Sequence, residues 1–417
     1  MALAGQRVGS TGTYLDDALR THYQDAIREQ FPKKSVLLSN VEKGDARKID
    51  TYGNFARITL QKSLHPSVGA KAEGGSLPAK DYTRLETTDV SIKYNYGRVE
   101  FSGPSIRASR DTRGALMQVS KLEMKAVTDA MRNDINRQLA SGDGTGKLAL
   151  INGGSQTTTW TLDSLLGRGF TTGTETTPTK YLSAGMRVDI GDATTYTTID
   201  VSAATVTTVD SSTQITGTTI SGHDDNGFVM RAGAAASEMM GLAGIVDDGG
   251  QLDTLQTITR STAGNSYWKS SVVDKGSVSA PAELQESDMQ SAASLIEKND
   301  GELSFVLTTY ALRDKYASIL QSDKRYVNTI ELQGGFKSLE FNGVALTPDK
   351  DCVPFNMFFV DKSTLELYEM APISWMQDDG AILNRVADLD AYEATLFYYA
   401  NLGANNCVRN ACLSYVQ

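Results

Sequence analysis

Residue types that commonly do chemistry are present in this sequence, but they do not cluster. The three histidines, His22, His65 and His223, lie far apart in unlike contexts. There is no His-Glu-x-x-His pair of the kind that binds zinc, and no Gly-x-Ser-x-Gly motif of the kind that exposes a serine nucleophile. Because no segment combines a nucleophile, a base and an orienting group, the sequence predicts no catalytic residues and a protein that is not an enzyme.

A glycine-rich segment, GDGTGKLALINGG at residues 142–154, invites comparison with a phosphate-binding loop. That pattern requires a glycine five residues before the last glycine and a serine or threonine after the lysine. These positions hold Ser141 and Leu148. The glycines also follow a helical pattern, whereas a phosphate cradle follows a strand and opens a helix. We therefore predict no nucleotide-binding site here.

Metal sites and disulfides are not indicated either. Residues 221–227, SGHDDNG, lack the alternating acidic spacing and the distant glutamate of a calcium-binding loop, and we interpret them as a polar turn. The three cysteines, Cys352, Cys407 and Cys412, are too few and too unevenly spaced for a disulfide framework or a zinc site. We predict no cofactor-binding residues, no metal-binding residues and synthesis in a reducing cytoplasm.

Composition excludes two further classes of protein. The 417 residues are 40% apolar and 22% charged, which is ordinary for a soluble globular chain, and no apolar run is long enough to span a bilayer. The N-terminal residues do not have the pattern of a secretory signal. A formal charge of −10 argues against tight, sequence-specific binding of nucleic acid, although an acidic surface can still face packaged DNA loosely.

The longest regular element is a helix predicted over residues 105–140. Pro104 precedes it and Gly142 follows it, which suits the two ends of a helix. At about 1.5 Å per residue it is longer than most globular helices, and a helix of that length usually braces something large. Its apolar positions recur every three or four residues, namely Leu116, Val119, Leu122, Ala126, Val127, Ala130, Met131, Ile135 and Leu139.

Ahead of the helix, residues 56–103 predict a long two-stranded ribbon. One strand covers residues 56–64 and the other covers residues 83–103, where apolar and polar residues alternate. The connecting segment, residues 65–82, is rich in Gly, Pro, Ala and Lys and has few large apolar residues. Because an isolated two-stranded ribbon is only marginally stable, we expect it to lie on a partner surface, most simply a second copy of the chain.

The flanking segments are of three kinds. Residues 1–55 contain a short amphipathic helix at 13–30. We interpret them as an arm that lies over a neighbouring surface or as an N-terminal helix that packs against its own chain. Residues 157–232 are rich in threonine and short β-branched runs, which indicates an inserted all-β barrel or sandwich. From Glu286 onward, helical and strand patterns alternate as in an α/β domain, and they include a helix to about Lys298 and a strand over residues 338–347.

The last third of the chain carries a resemblance to a known family. It includes TTYALRDKYASILQSDKRYV (308–327), FNGVALTPDKDCVPFNMFFVDKSTLELYE (341–369) and WMQDDGAILNRVADLDAYEATLFYYANLGANNCVRNACL (375–413). A helix, a strand with an acidic turn before Cys-x-Pro-x-Asn, and a final Tyr-x-Asn-Leu strand resemble the major capsid proteins of tailed bacteriophages. The resemblance in sequence covers roughly 130 residues, and the resemblance in the order of elements covers nearly the whole chain.

The resemblance implies an α+β class and the Hong Kong 97-type fold, with an N-terminal arm, an extended β loop, a long spine helix, a peripheral domain and an axial domain. An inserted small all-β domain is a departure from the minimal fold. The implied segments are the arm (1–55), extended loop (56–103), spine helix and peripheral domain (104–156), inserted barrel-like domain (157–232), peripheral continuation (233–285), axial α/β domain (286–392) and strands returning to the peripheral domain (393–417).

The resemblance also implies a function and a set of partners. The chain is expected to assemble with itself into hexamers and pentamers that form an icosahedral shell around double-stranded DNA, which it contacts non-specifically. A portal protein and a decoration protein are further partners that the resemblance allows. Because few residues precede the spine helix, a scaffold, if one is needed, is expected to be a separate protein. The chain would be assembled in the host bacterial cytoplasm and would reside in the virion capsid. The alternatives are the shell of an encapsulin-like protein compartment and an enzyme with an unrecognised site in residues 286–385.

Some family members cross-link a loop lysine to an asparagine, and although Lys62, Lys71 and Lys80 lie in or near the loop, we assign no cross-link.

Overall fold

The structure is a computed structural model of the 417-residue chain. It describes residues 37, 42–43, 55–104, 113–154, 156–169, 176–322, 329–331, 337–377, 380–387 and 389–417. Most of the predicted arm, including its helix at 13–30, lies outside the described residues. Of that arm, Leu37 is fully buried in the main core and a two-residue strand pairs with the body. No helix in these described ranges is both long and apolar enough to cross a membrane.

The described regular elements are named here in chain order. The strands are β1 (Glu42–Lys43), β2 (Phe55–Gln61), β3 (Leu85–Ser91), β4 (Lys93–Ser102), β5 (Lys147–Ile151), β6 (Thr159–Leu165), β7 (Arg187–Gly191), β8 (Ile199–Val209), β9 (Gln214–Gly217), β10 (Phe228–Arg231), β11 (Thr254–Leu255), β12 (Ile258–Thr259), β13 (Ser271–Asp274), β14 (Phe305–Thr308), β15 (Thr329–Glu331), β16 (Lys337–Phe341), β17 (Val344–Pro348), β18 (Met357–Val360), β19 (Leu365–Trp375), β20 (Asn384–Arg385), β21 (Ala391–Ala404) and β22 (Ala411–Ser414). The helices are α1 (Arg113–Ser141), α2 (Leu242–Ile245), α3 (Glu286–Lys298) and α4 (Tyr310–Ser322).

Helix α1 is the predicted long helix, and at 29 residues it extends about 43 Å. Its residues before Arg113, which the sequence also assigns to the helix, lie outside the described residues. The face it buries differs slightly from the prediction. Met124 is fully buried, while Ala126 and Ala130 are exposed, because the stripe that reaches the core follows the larger side chains. That stripe consists of Met124, Val127, Met131, Ile135 and Leu139.

Helix α1 packs on a five-stranded sheet in which β1, β19, β21 and β20 lie in that order and β4 also pairs with β21. The predicted second strand of the ribbon is in fact two strands that part at Ile92. β3 pairs with β2 from Phe55↔Ser91 to Gln61↔Leu85, whereas β4 joins β21 along its whole length. The sequence predicted one strand because alternation of apolar and polar residues does not show which strand is the pairing partner, and here the partner changes from β2 to β21.

The threonine-rich region forms a closed six-stranded barrel with the strand order β10-β5-β6-β9-β8-β7. Its interior is filled by apolar side chains, among them Leu148, Trp160, Val206 and Val229. The barrel begins with β5, ten residues before the predicted start at 157. β5 pairs with both β6 and β10, so the barrel cannot close without it. The sequence assigned this short apolar run to the glycine-rich connection after α1.

A seven-stranded sheet, ordered β13-β22-β18-β14-β17-β16-β15, carries α3 and α4. Its membership differs from the predicted segments at both ends. β19 lies inside the predicted axial segment 286–392 but belongs to the five-stranded sheet. β22 lies inside the predicted returning segment 393–417 but joins the seven-stranded sheet between β13 and β18. Its run of four buried residues suits a position between two neighbouring strands.

Candidate assembly surface

The most exposed apolar side chains of the described chain lie in the connection between β2 and β3, residues 62–84, which we name the exposed loop. Leu64 is 88% exposed and Tyr82 is 86% exposed, and Val68 and Leu77 are similar. The exposed loop forms few regular backbone hydrogen bonds, and these side chains are not packed in a core. Several exposed large apolar side chains in one segment favour a surface that another molecule covers.

The base of the exposed loop is fixed to the body by a polar cluster. Lys62 Nζ donates to Glu86 Oε2 at 2.8 Å and to Asn265 Oδ1 at 3.0 Å. Tyr267 Oη donates to the same Glu86 oxygen at 2.5 Å. The hydrogen bond from Lys62, followed by that from Tyr267, holds the pKa of the Glu86 carboxyl below its usual value. The loop therefore leaves the body in a defined direction, although its tip is exposed.

A second surface feature lies on the five-stranded sheet. Tyr94 and Tyr96 from β4 stand directly opposite Tyr399 and Phe397 from β21. The ring centroids of Tyr94 and Tyr399 are 5.0 Å apart, and those of Phe397 and Tyr399 are 4.9 Å apart. We name these four residues the aromatic patch. Tyr96 remains 56% exposed, whereas Tyr399 is partly buried against a small apolar cluster that includes Val90 and Tyr368.

Helix α1 is joined to the loops around the barrel by buried charges. Arg137 Nη2 contacts Glu238 Oε1 at 2.5 Å, and Arg137 Nε contacts Asp134 Oδ1 at 3.1 Å. Burial raises the pKa of Glu238 despite the neighbouring guanidinium. Gln138 extends this network, because its amide accepts from the backbone N–H of Met239 at 2.9 Å. The end of α1 is thus held by hydrogen bonds as well as by apolar contact.

The same helix also contacts the turn that follows β17. Asn136 Nδ2 donates to Asp349 Oδ1 at 3.0 Å and to Asp351 Oδ2 at 2.9 Å. All three side chains are buried. Burial raises the pKa of the Asp349 carboxyl and outweighs the hydrogen bond from the Asp351 backbone N–H, which lowers it. One amide therefore links the long helix to two carboxylates of the seven-stranded sheet.

The residues that the sequence singled out for chemistry are not brought together. His22 lies outside the described residues, His65 is exposed in the loop, and His223 Nε2 accepts from the backbone N–H of Gln156 at 3.0 Å. The three cysteines are all buried, and none of them forms a disulfide. Burial raises the pKa of Cys407 to about 11 and that of Cys412 to about 12, which keeps both thiols protonated.

One group of acidic residues could not be found from the sequence. Asp192, Asp200 and Asp224 come from separate barrel segments, and their carboxylate oxygens lie within 4.8 Å of one another. Asp192 Oδ1 accepts from the backbone N–H groups of Thr194 and Thr195 at 2.7 Å each, so it serves its own turn. Because exposed carboxylates with local partners are common at turns, we assign no metal site to this group.

Comparison with known proteins adds information on the fold. No family model and no curated protein matches the chain. Among solved structures, the chain is similar to the capsid subunit of cyanophage A-1(L), at 12% identity and a TM-score of 0.54 over 92% of this chain and 93% of that chain. It also matches the capsid of an empty GTA particle, at 6% identity and a TM-score of 0.48 over 92% and 90% of the two chains. A third match is the holo-SrpI encapsulin complex of Synechococcus elongatus, at 9% identity and a TM-score of 0.47 over 91% and 87%.

The likeness to the cyanophage capsid subunit extends over nearly the whole of both chains. At this identity the likeness concerns the fold, and it agrees with what the last third of the sequence implies. The protein has an α+β structure of the Hong Kong 97 type, the fold of tailed-phage capsid subunits.

Proposed function

We propose that this chain is the major capsid protein of a tailed bacteriophage, a subunit that assembles with copies of itself into a closed shell. The observation that carries the proposal is a fold shared with a phage capsid subunit over about nine-tenths of both chains. The exposed loop supports the proposal independently, because its exposed apolar side chains suit a surface that a neighbouring subunit covers.

The proposed mechanism is binding, and no chemical step is required. The exposed loop and the N-terminal arm would bury surface on neighbouring subunits. The seven-stranded α/β region would meet its equivalents around the centre of each hexamer or pentamer, and the resulting icosahedral shell would enclose double-stranded DNA. A portal protein and a separate scaffold or decoration protein would be further partners. The negative net charge suits loose contact with packaged DNA over tight binding.

Electron microscopy of the purified protein, with and without a scaffold partner, tests the proposal. We expect rings, capsomers or closed shells at micromolar concentration. A small, monodisperse monomer under all assembly conditions would contradict it. The nucleic-acid content of particles isolated from the producing cell then separates two kinds of shell, since double-stranded DNA identifies a virion and cargo protein without DNA identifies an encapsulin-like compartment.

A further inference from the structure

We propose that Gly403 and the turn at Gln256 and Thr257 form a seat that sets the direction in which the β2–β3 hairpin carries the exposed loop away from the subunit. We name these three residues the hairpin seat. The inference rests on the proposed function and adds to it the residues that orient the loop. Among the described strands, β2 and β3 pair only with each other. The orientation of the hairpin therefore depends on its contacts with other segments.

One side of β3 lies on the body of the subunit along its length. Glu86, Thr88 and Val90 face the body, because they alternate along the strand with residues that are more exposed. Thr88 is fully buried, and Val90 is 1% exposed. The side chain of Asn401 in β21 holds the end of this strand, because its Nδ2 donates to the carbonyl of Ser91 at 2.7 Å.

Gly403 allows the hairpin to approach β21 closely. A Cβ atom at this position would lie 2.9 Å from Val90 Cγ2 and 2.8 Å from Tyr368 Cε2. Val90 and Tyr368 belong to one small apolar cluster between the hairpin and the sheet. Only glycine leaves room for so close an approach of side chains to a backbone. A side chain at residue 403 would therefore push the hairpin away from its present position.

The turn between β11 and β12 meets the hairpin at Thr88, whose hydroxyl donates to the carbonyl of Gln256. Gln256 and Thr257 have φ angles of 50° and 71°. This left-handed region is unfavourable for a β-branched residue, and turns of this kind are usually made by Asn-Gly. Strained backbone of this sort persists where the surrounding structure requires it, and it is concentrated at functional positions.

Gln256 also joins the turn to β21. With its side-chain amide oriented by its hydrogen-bond partners, Gln256 donates to the carbonyl of Ala404 at 2.9 Å and accepts from its backbone N–H at 2.6 Å. One residue thus bonds β21 through its side chain and the hairpin through its carbonyl. The strained turn is held between the two elements whose relative orientation it determines.

The hairpin converts a small change at the seat into a large displacement of the loop. β3 has seven residues. It therefore extends about 20 Å, and a rotation of about 10° at one end moves the other end by roughly 3–4 Å. Because protein interfaces pack about as densely as protein interiors, a displacement of this size would misplace the loop against a neighbouring subunit. A loop that is already oriented also loses less conformational freedom when a neighbour binds.

Spin labels measure the direction of the hairpin in separate subunits. One label is placed at Gln61→Cys, at the exposed far end of β2, and the second at Lys298→Cys or at Thr207→Cys, which are exposed on α3 and β8. The native cysteines are buried and do not compete for the label. We expect Gly403→Ala to shift the mean distance by about 3 Å or more in at least one label pair. We also expect the protein concentration needed for assembly to rise about ten-fold or more, since a misplaced loop weakens every contact.

The matched control is Gly97→Ala, which inserts a methyl group into the same sheet on the side of α1. A Cβ atom at Gly97 would lie 2.7 Å from Val127 Cγ1. This variant should have a lower melting temperature and the parent's label distances. The parent's distances in folded Gly403→Ala, or an equal shift in Gly97→Ala, would overturn the inference.

A second pair of variants acts through the turn and needs no added side chain. Thr88→Val removes the hydroxyl that donates to Gln256, whereas Thr88→Ser keeps it. We expect a broader distribution of label distances in the valine variant and the parent's distribution in the serine variant, with circular dichroism establishing that both fold. A parent-like distribution in Thr88→Val would overturn the inference. A parent protein that forms no assemblies would contradict the proposed function alone, because the label distances are recorded in separate subunits.

Discussion

At the scale of single residues, the contact between Asn136 and the carboxylates of Asp349 and Asp351 is the least predictable feature of the fold. The sequence marks the acidic turn, but it does not indicate that an amide more than 200 positions earlier approaches both carboxylates. Burial opposes the ionisation of Asp349 and raises the pKa of its carboxyl. We therefore expect the stability of the junction between α1 and the seven-stranded sheet to depend on pH.

We predict that Asp349→Asn stabilises the subunit at pH 8. Burial raises the pKa of Asp349, so the folded protein holds this proton more tightly than the unfolded chain does. Ionisation then destabilises the fold progressively as the pH rises from the unfolded-state pKa through the folded-state pKa. We expect about 1–2 kcal/mol of stabilisation at pH 8, in the range seen when buried charges are replaced by neutral groups. Thermal unfolding followed by circular dichroism measures it.

The pH profile distinguishes this cause from general effects of removing a charge. The advantage of Asp349→Asn over the parent should shrink as the pH falls toward 4, where the parent carboxyl is protonated as well. The matched control is Glu100→Gln, which removes an exposed carboxylate and should leave the free energy of unfolding within about 0.5 kcal/mol of the parent at every pH. An equal advantage at pH 4 and pH 8 would contradict the prediction.

At the scale of elements, the sequence predicts structure well where one period runs without interruption. The helix over Glu286–Lys298 follows from its 3.6-residue period. The strand predicted over residues 338–347 is instead the hairpin of β16 and β17, which turns at Asn342 and Gly343. The Asn-Gly pair is a hairpin signal that the apolar run on either side concealed. Strand partners such as β5 and β10 depend on long-range pairing, which local patterns do not contain.

We predict that the barrel folds in isolation only when β5 is included. A fragment of residues 146–232 contains all six strands and the apolar interior. A fragment of residues 157–232 lacks β5, so the facing edges of β6 and β10 have no partner and the interior is open to water. Amide NMR spectra should be dispersed for the longer fragment and collapsed for the shorter one. Two collapsed spectra would show that the barrel needs the rest of the subunit.

We also predict that shortening the exposed loop prevents shell formation and spares the subunit. Replacing residues 66–80 with a tight Asn-Gly turn removes side chains that contribute nothing to a core, and β2 and β3 still pair through the turn. A shell repeats the lost contact many times, so about 1–2 kcal/mol per subunit shifts assembly strongly. The variant should have the parent's circular dichroism spectrum and melting temperature but sediment as monomers or capsomers. Normal shells would show that the loop is dispensable, and an unfolded variant would place it in the core.

At the scale of the whole molecule, the net charge bears on whether the proposed shell needs nucleic acid in order to assemble. A chain with a net charge of −10 gains little from the release of phosphate counterions. We predict that closed particles form after nuclease treatment, with scaffold supplied where required, at the same yield as before it. Light scattering and electron microscopy measure that yield. Particles that appear only with nucleic acid present would contradict the prediction.

The pairing of β4 with β21 also determines when the five-stranded sheet can be completed during synthesis. Tyr94 and Tyr96 leave the ribosome some 300 residues before Phe397 and Tyr399, the partners that complete the aromatic patch. Synthesis at about 5–20 residues per second separates the two halves by roughly 15–60 seconds. A nascent chain can therefore form its β2–β3 hairpin early, but it completes the five-stranded sheet only near the end of translation. The order of the strands along the chain thus leaves the sheet on which α1 packs incomplete until nearly the whole subunit has been made.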